Sequence, residues 1–250
     1  MRKLQAALED FGQMLFFAGE VVAWAFRPPF RLDQLLAQMA FIGAGSSFIV
    51  GVTGTFAGMV FGLQMNYAMK QFAAEGYVGG STAFALSREL SPVFTALMIT
   101  GRAGSAIATE LGTMRVTEQL DAMESMAVSP IQYLVVPRVV AALVMFPVLT
   151  MLFNALGYAG AYVMGIYVAH IPVGPFIEHT REFLKMGDIF HGLGKAVVFG
   201  ALVAIITTWR GYSASGGARG VGEGTTRAVV ASSIAILVAD YAATVIFVGG

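Results

Sequence analysis

Four ionisable residues lie within or beside otherwise apolar stretches of the chain: Arg88, Glu89, Lys195 and Asp240. Burying one charged side chain in hydrocarbon costs about 2.5–3.5 kcal/mol even on lenient insertion scales. We therefore expect all four to face protein groups or a wet cavity rather than lipid. They can tie helices together as ion pairs, or they can line a cavity that accepts a polar headgroup. Because the set contains both signs of charge and Asp240 lies deep in its apolar segment, we favour the cavity.

The sequence carries none of the catalytic patterns that a membrane enzyme would need. It has no H-E-x-x-H zinc motif and no G-x-S-x-G nucleophile elbow, and its three histidines lack ligand spacing. Gly194-Lys195 fails as a phosphate-binding loop, because Ile189 stands where glycine is needed and Ala196 where Ser or Thr is needed. We predict no catalytic residue, metal site or cofactor in this chain, and a separate ATPase subunit if ATP drives its activity.

The composition places these charges in a membrane protein. Of the 250 residues, 57% are hydrophobic and 12% are charged, against about 45–50% and about 25% in an average soluble domain. The 15 Lys and Arg residues balance the 15 Asp and Glu residues, which gives no reason to expect nucleic acid as a partner. The chain has no cysteine, which excludes disulfides and thiolate metal sites.

Apolar segments of sufficient length set the elements that must hold these charges at depth. Two runs without Asp, Glu, Lys or Arg exceed the roughly 20 residues of one membrane helix. With three further segments we predict five spans, at residues 34–69, 84–109, 139–177, 189–209 and 228–248. A turn near residues 154–160 would instead divide the third segment into two spans. Loops are expected at residues 76–80 and 210–227, and a short helix at 179–188.

Residues 1–33 precede the first span, and their pattern differs from that of a span. Apolar residues recur every three or four positions, as on one face of a helix: Leu4, Leu8, Phe11, Leu15, Ala18 and Val22. This pattern predicts an amphipathic helix in the membrane interface that ends before Pro28-Pro29. A helix packed on other protein is the alternative. Together with the five-span core of residues 34–250, this helix completes one domain, residues 1–250.

Gly54, Gly58 and Gly62 recur every fourth residue in the first predicted span. Without Cβ atoms along one helix face, another helix can approach until the backbones touch. The spacing therefore predicts a helix-packing face rather than a ligand site.

The segment of residues 110–129 is too charged to span a membrane, and its apolar residues suggest a short helix at the membrane surface. If the amino terminus is cytoplasmic, this segment and most of the 15 Lys and Arg residues fall on the cytoplasmic side. Because positive residues concentrate on that side, we predict a cytoplasmic amino terminus.

A long signature occupies the second span and the charged segment after it. It includes Arg88-Glu89-Leu90, Gly101-Arg102-Ala103-Gly104-Ser105-Ala106, Glu110-Leu111-Gly112, Met114-Arg115, Thr117-Glu118-Gln119-Leu120-Asp121-Ala122-Met123 and Pro137-Arg138. With this signature, and over nearly the whole chain, the sequence resembles the MlaE/YrbE family of ABC-transporter permeases.

The resemblance implies an all-α integral membrane protein with an amino-terminal interfacial helix, five transmembrane helices and a cytoplasmic coupling helix between spans two and three. It also implies a homodimer in the bacterial inner membrane, cytoplasmic ATPase subunits that bind ATP and Mg, a periplasmic MCE-domain protein and, in several bacteria, a STAS-domain protein. The substrates implied are phospholipids or other large lipids.

Two sets of residues take expected roles from this resemblance. The coupling helix would meet the ATPase through residues of the charged segment: Glu110, Arg115, Glu118, Gln119, Asp121 and Glu124. Two subunits packed across their first and fifth spans would enclose a lipid-sized chamber near Arg88, Glu89, Lys195 and Asp240. The alternatives are a proton-coupled secondary transporter that uses Glu89 or Asp240 as its proton site, and a structural membrane anchor.

Overall fold

The computed structural model describes residues 2–248, with the side chains of residue 5 and residues 8–246. Over this part the chain forms helices and no strand. The helices are α1 (Arg2–Ala25), α2 (Leu32–Lys70), α3 (residues 78–116), α4 (Gln119–Ser125), α5 (Ile131–Val168), α6 (Val173–Phe183), α7 (Met186–Tyr212) and α8 (Gly217–Val248). A short 3-10 turn, Glu75–Tyr77, precedes α3. The predicted all-α membrane fold is confirmed.

Among the described residues, four helices are long and apolar enough to cross a membrane: α2, α5, α7 and α8. The second predicted span corresponds to α3, which is one uninterrupted helical segment containing two π turns, Leu86–Leu90 and Thr100–Gly104. α3 packs against α2, α5, α7 and α8, and it carries the charges of Arg88, Glu89 and Arg102. The count of five spans stays a prediction, with α3 as the fifth.

The amino-terminal helix α1 forms where the three- and four-residue spacing of apolar side chains predicts a helix, and it ends at Ala25, ahead of Pro28-Pro29. Phe17 and Val21 are buried against the bundle. The predicted apolar face lies elsewhere on the helix, and its Leu8, Phe11, Leu15 and Val22 are exposed; the Leu4 side chain falls outside the described residues. α1 thus packs on protein through one face and leaves a second apolar face uncovered, so its interfacial position remains a prediction.

The three glycines of α2 lie at its crossing with α5. Gly54, Gly58 and Gly62 are all buried, and a Cβ at Gly58 would overlap the carbonyl group of Gly157 on α5. From the other side, a Cβ at Gly160 would overlap the Thr55 carbonyl oxygen. The glycines therefore form a helix-packing face within one chain, and packing of the first span against a second subunit stays a prediction.

Several predicted boundaries are wrong, and close packing explains the errors. Gly79 and Gly80 belong to the first turns of α3 rather than to a loop, because a Cβ at either position would meet the backbone of α6 at less than 3 Å. The predicted short helix at residues 179–188 is α6, which begins at Val173. Most of the predicted loop at residues 210–227 is helical, since α8 begins at Gly217.

Candidate functional site

The side chain of Lys195 is the centre of a cluster between α3, α7 and α8. Lys195 is only 1% exposed, and its ammonium donates to the Glu89 carboxylate, to Asp240 Oδ1 at 2.8 Å and to Thr244 Oγ1 at 2.8 Å. An ammonium has three N–H donors, so all of them are used. Charge and hydrogen bonding are both satisfied, as a buried cation requires.

Local helix geometry brings the three helices together at this cluster. Glu89 lies in the π turn Leu86–Leu90 of α3, where the wider turn precedes Pro92, a residue without an N–H to donate. Gly192, three residues before Lys195, lets α7 touch this turn, because a Cβ there would overlap the Ser87 carbonyl oxygen. Asp240 and Thr244 share one face of α8, and the Thr244 hydroxyl donates to the Asp240 carbonyl oxygen at 2.9 Å.

The cluster carries one positive and two negative charges, and the carboxylates are its outer part. The Lys195 side chain is fully buried, whereas the side chains of Glu89 and Asp240 are 38% and 22% exposed. Lys195 is nine residues from the start of α7, so the cluster lies about 13 Å along the helix from that end. An ionic site of surplus negative charge therefore opens outward at membrane depth, on the α6 side of the bundle.

Arg88, the fourth residue predicted for this site, makes a different contact. Its guanidinium lies 3.4 Å from Asp188 at the start of α7 and 5.2 Å from the centre of the Phe84 ring. The structure therefore joins Glu89, Lys195 and Asp240 and places Arg88 in a separate ion pair. Sequence reasoning missed Thr244 and Asp188; the position of Thr244 one helical turn after Asp240 is the signal that could have found it.

Of the six residues predicted to couple to an ATPase, five are divided between two helices and Glu118 lies in the turn between them. Glu110 and Arg115 belong to the last turns of α3, which continues to Val116, so residues 110–129 do not form one surface helix. Glu118 adopts a left-handed backbone conformation (φ 61°) that turns the chain into the short helix α4. Gln119, Asp121 and Glu124 lie on α4, and with Glu118 they are exposed.

Five of these six side chains already have partners within the chain. Gln119 donates to Thr117 Oγ1 at 3.0 Å, and Glu124 accepts from the Tyr212 hydroxyl at 3.1 Å. Glu110 accepts from Arg138 of α5 at 2.8 Å, and Arg138 is only 3% exposed. Arg115 pairs with Asp121 at 2.6 Å. Glu110 is therefore a counter-charge for a buried arginine in this chain, which leaves α4 as the part of the segment most open to a partner.

A cavity of about 250 Å³ lies between α3, α5 and α7. It is lined mainly by apolar side chains that include Leu86, Met151, Tyr158 and Ile189. None of the cluster residues lines it. Its volume is below the roughly 300–1,000 Å³ of typical small-molecule sites, so this cavity in one chain does not hold a whole lipid.

The helices and the cluster together define a multi-pass helical membrane protein with an ionic site at membrane depth. The model of the permease MlaE family matches residues 35–246 of the chain. Relatives include a probable ABC transporter permease protein of Synechocystis, 42% identical over 90% of this chain and 86% of its own length. A protein of the same description from Rickettsia conorii is 39% identical over 96% of this chain and 92% of its own length.

The intermembrane phospholipid transport system permease protein MlaE of Haemophilus influenzae is also similar, at 38% identity over 96% of this chain and 94% of its own length. With a family match over most of the sequence, and relatives well above 30% identity, the chain belongs to the MlaE permease family.

Proposed function

We propose that this chain is the membrane-embedded permease subunit of an ATP-driven ABC transporter that moves phospholipids or related lipids between the inner membrane and the outer envelope. The observation that carries the proposal is the Lys195 cluster, whose surplus negative charge opens outward from apolar surroundings at membrane depth. The names of the relatives support the transporter class, and the Haemophilus relative supports a phospholipid substrate.

A lipid needs more room than one chain offers, which supports a homodimer. The outward face of α8 beside Asp240 is apolar and exposed, and includes Ile234, Leu237, Val238 and Tyr241. Two copies that face each other across α8 would enclose an apolar chamber for acyl chains, with Glu89 and Asp240 on its wall. The surplus negative charge of the cluster suits the cationic part of a zwitterionic headgroup.

The ATPase subunits would bind at the end of the bundle opposite α6. The end of α3 meets the start of α5 there through the Arg138–Glu110 ion pair, and the end of α7 meets α1 through the Arg210–Asp10 ion pair. α4 joins them through the hydrogen bond from Tyr212 to Glu124. The arginines at this end support a cytoplasmic placement of α1. Cytoplasmic ATPase subunits, which bind ATP and Mg, would contact α4, and an MCE-domain protein would receive or deliver lipid on the periplasmic side, with a STAS-domain protein accompanying the ATPase in some bacteria.

The test is lipid transfer by the complex of this chain with its ATPase and MCE-domain partners, reconstituted in proteoliposomes with labelled phospholipid. We expect transfer to require ATP and to stop when α4 is replaced by a Gly/Ser linker of equal length, with binding of the ATPase measured in parallel. Transfer and ATP hydrolysis that both survive this replacement would contradict the proposal. Transfer without the ATPase that follows a pH gradient would instead support a proton-coupled secondary transporter.

A further inference from the structure

The last residue of α7, Tyr212, is where three other helices meet. Its hydroxyl donates to Glu124 Oε1 of α4 at 3.1 Å. Its ring lies 5.5 Å from the ring of Phe17 on α1, between centroids, and the Arg115 guanidinium of α3 lies 5.9 Å from its centre. Tyr212 is therefore in contact with the coupling helix α4, with α1 and with the end of α3.

α1 is fixed to the same turn of α7 by polar contacts as well as by rings. Asp10 accepts from Trp209 Nε1 at 3.2 Å and pairs with Arg210 at 2.8 Å. The Phe17 ring lies 5.4 Å from the Trp209 ring. Any displacement of this turn of α7 must therefore move α1 with it or break these contacts.

α7 leads from this turn to the Lys195 cluster without a break. α2, α3 and α5 each contain a π turn, whereas the described α7 is a continuous α-helix without proline. Tyr212 is 17 positions after Lys195 in the sequence, and this offset corresponds to about 25 Å along the helix. One unbroken helix thus carries the cluster in its first half and the contact with α4 at its last residue.

We infer that Tyr212 is a positioning residue that joins the coupling helix to α7 and α1. The inference rests on the proposed function, because it assigns a route for the motion that an ATPase would impose on α4. The hydroxyl bond to Glu124 transfers that motion to α7, which carries it to the Lys195 cluster, while α1 moves with the same turn. Such a route requires measured energetic coupling between its members, beyond their proximity.

The phenolic hydroxyl is the part of Tyr212 to remove. Tyr212→Phe keeps the ring contacts with Phe17 and Arg115 and deletes only the bond to Glu124. Glu124→Ala removes the same bond from the exposed side of α4, where a substitution leaves the packing intact. Glu124→Gln keeps an acceptor oxygen. Tyr133→Phe is the matched control, because Tyr133 lies at the same end of the bundle with an arginine, Arg31, 4.4 Å from its ring centre.

The measurement is lipid transferred per ATP hydrolysed by the reconstituted complex, together with ATPase binding and thermal stability. We expect Tyr212→Phe and Glu124→Ala each to lower this ratio about two- to tenfold, the range for loss of one ordinary hydrogen bond. The double variant should fall no further than either single one. Glu124→Gln should restore most of the ratio lost in Glu124→Ala, and Tyr133→Phe should match the unmodified complex.

Two outcomes would overturn the inference: a ratio unchanged by Tyr212→Phe, or losses in the two single variants that simply multiply in the double variant. Failure of the proposed function looks different, because the unmodified complex would then show no ATP-dependent transfer. If Tyr212→Phe prevents folding, the comparison of Glu124→Ala with Glu124→Gln tests the inference instead, since both changes lie on the exposed side of α4. Equal transfer ratios in these two variants would then overturn it.

Discussion

Removing both carboxylates from Lys195 should cost far more than removing either one. Lys195 is fully buried and has two carboxylate partners, so Glu89→Gln or Asp240→Asn alone leaves it one counter-charge. These carboxylates are 38% and 22% exposed, and partly exposed pairs contribute little each, so we expect about 1 kcal/mol per single change. The double variant leaves a buried ammonium with no counter-charge, at a cost of about 3–5 kcal/mol.

The excess of the double variant over the two single variants, roughly 1–3 kcal/mol, measures the coupling through Lys195. Adding Lys195→Met removes the stranded charge, and we expect this triple variant to recover to within about 1 kcal/mol of the unmodified protein. Lipid transfer should be lost in the triple variant, because the proposed chamber then has no charge at this site.

The assay is the unfolding free energy in mixed detergent micelles, with lipid transfer measured on the same preparations. Glu178→Gln is the control for loss of an acidic side chain, because Glu178 is exposed on α6. Additive costs in the double variant, or a triple variant as unstable as the double, would show that Lys195 does not depend on these carboxylates. Full transfer by a stable triple variant would mean that the cluster only ties helices together.

Two further predictions concern glycines at close contacts. Gly58→Ala should lower the free energy of unfolding by about 1–3 kcal/mol, because the new Cβ overlaps the Gly157 backbone. Gly194→Ala is the control, because open space surrounds that position, and it should be neutral or slightly stabilising in the same unfolding assay. Gly45→Ala should displace the Arg102 guanidinium, whose Cζ would lie 2.6 Å from the new Cβ, and break the 2.8 Å hydrogen bond that Arg102 donates to the Phe41 carbonyl oxygen. We expect the free energy of unfolding to fall by about 1.5–3 kcal/mol. An unchanged free energy of unfolding would show that this hydrogen bond does not stabilise the protein.

That these charges face protein rather than lipid could be predicted from the sequence because of a strong physical rule. A charge in an apolar helix must find a partner, so position alone singles out Arg88, Glu89, Lys195 and Asp240. The partner of each charge follows from helix rotation, which the sequence does not give. Arg88 is adjacent to Glu89, yet neighbouring side chains of a helix point in different directions, and these two reach different partners, Asp188 and Lys195.

Helix boundaries were harder to predict, since glycine has two opposite uses. In a loop it supplies conformational freedom, and in a helix it allows close approach. Gly79 and Gly80 have the second use against α6, and the sequence of α3 alone does not contain the neighbour that decides it. Glu110 is a similar case, because its buried partner Arg138 is on another helix.

The free-energy cost of burying Lys195 with its two carboxylates bears on the role of the cluster. A buried ion pair is weak evidence for stability, since well-packed apolar side chains of similar volume often stabilise as well or better. α8 contacts the bundle along one side and leaves an apolar face exposed beside the cluster, so a purely structural tie would gain more from apolar packing there. A fully satisfied lysine with two carboxylates turned outward is better suited to a site whose partners change. Such a change would need a helix that moves as a unit, and α7, which carries Lys195, is also hydrogen-bonded at Tyr212 to Glu124 of α4.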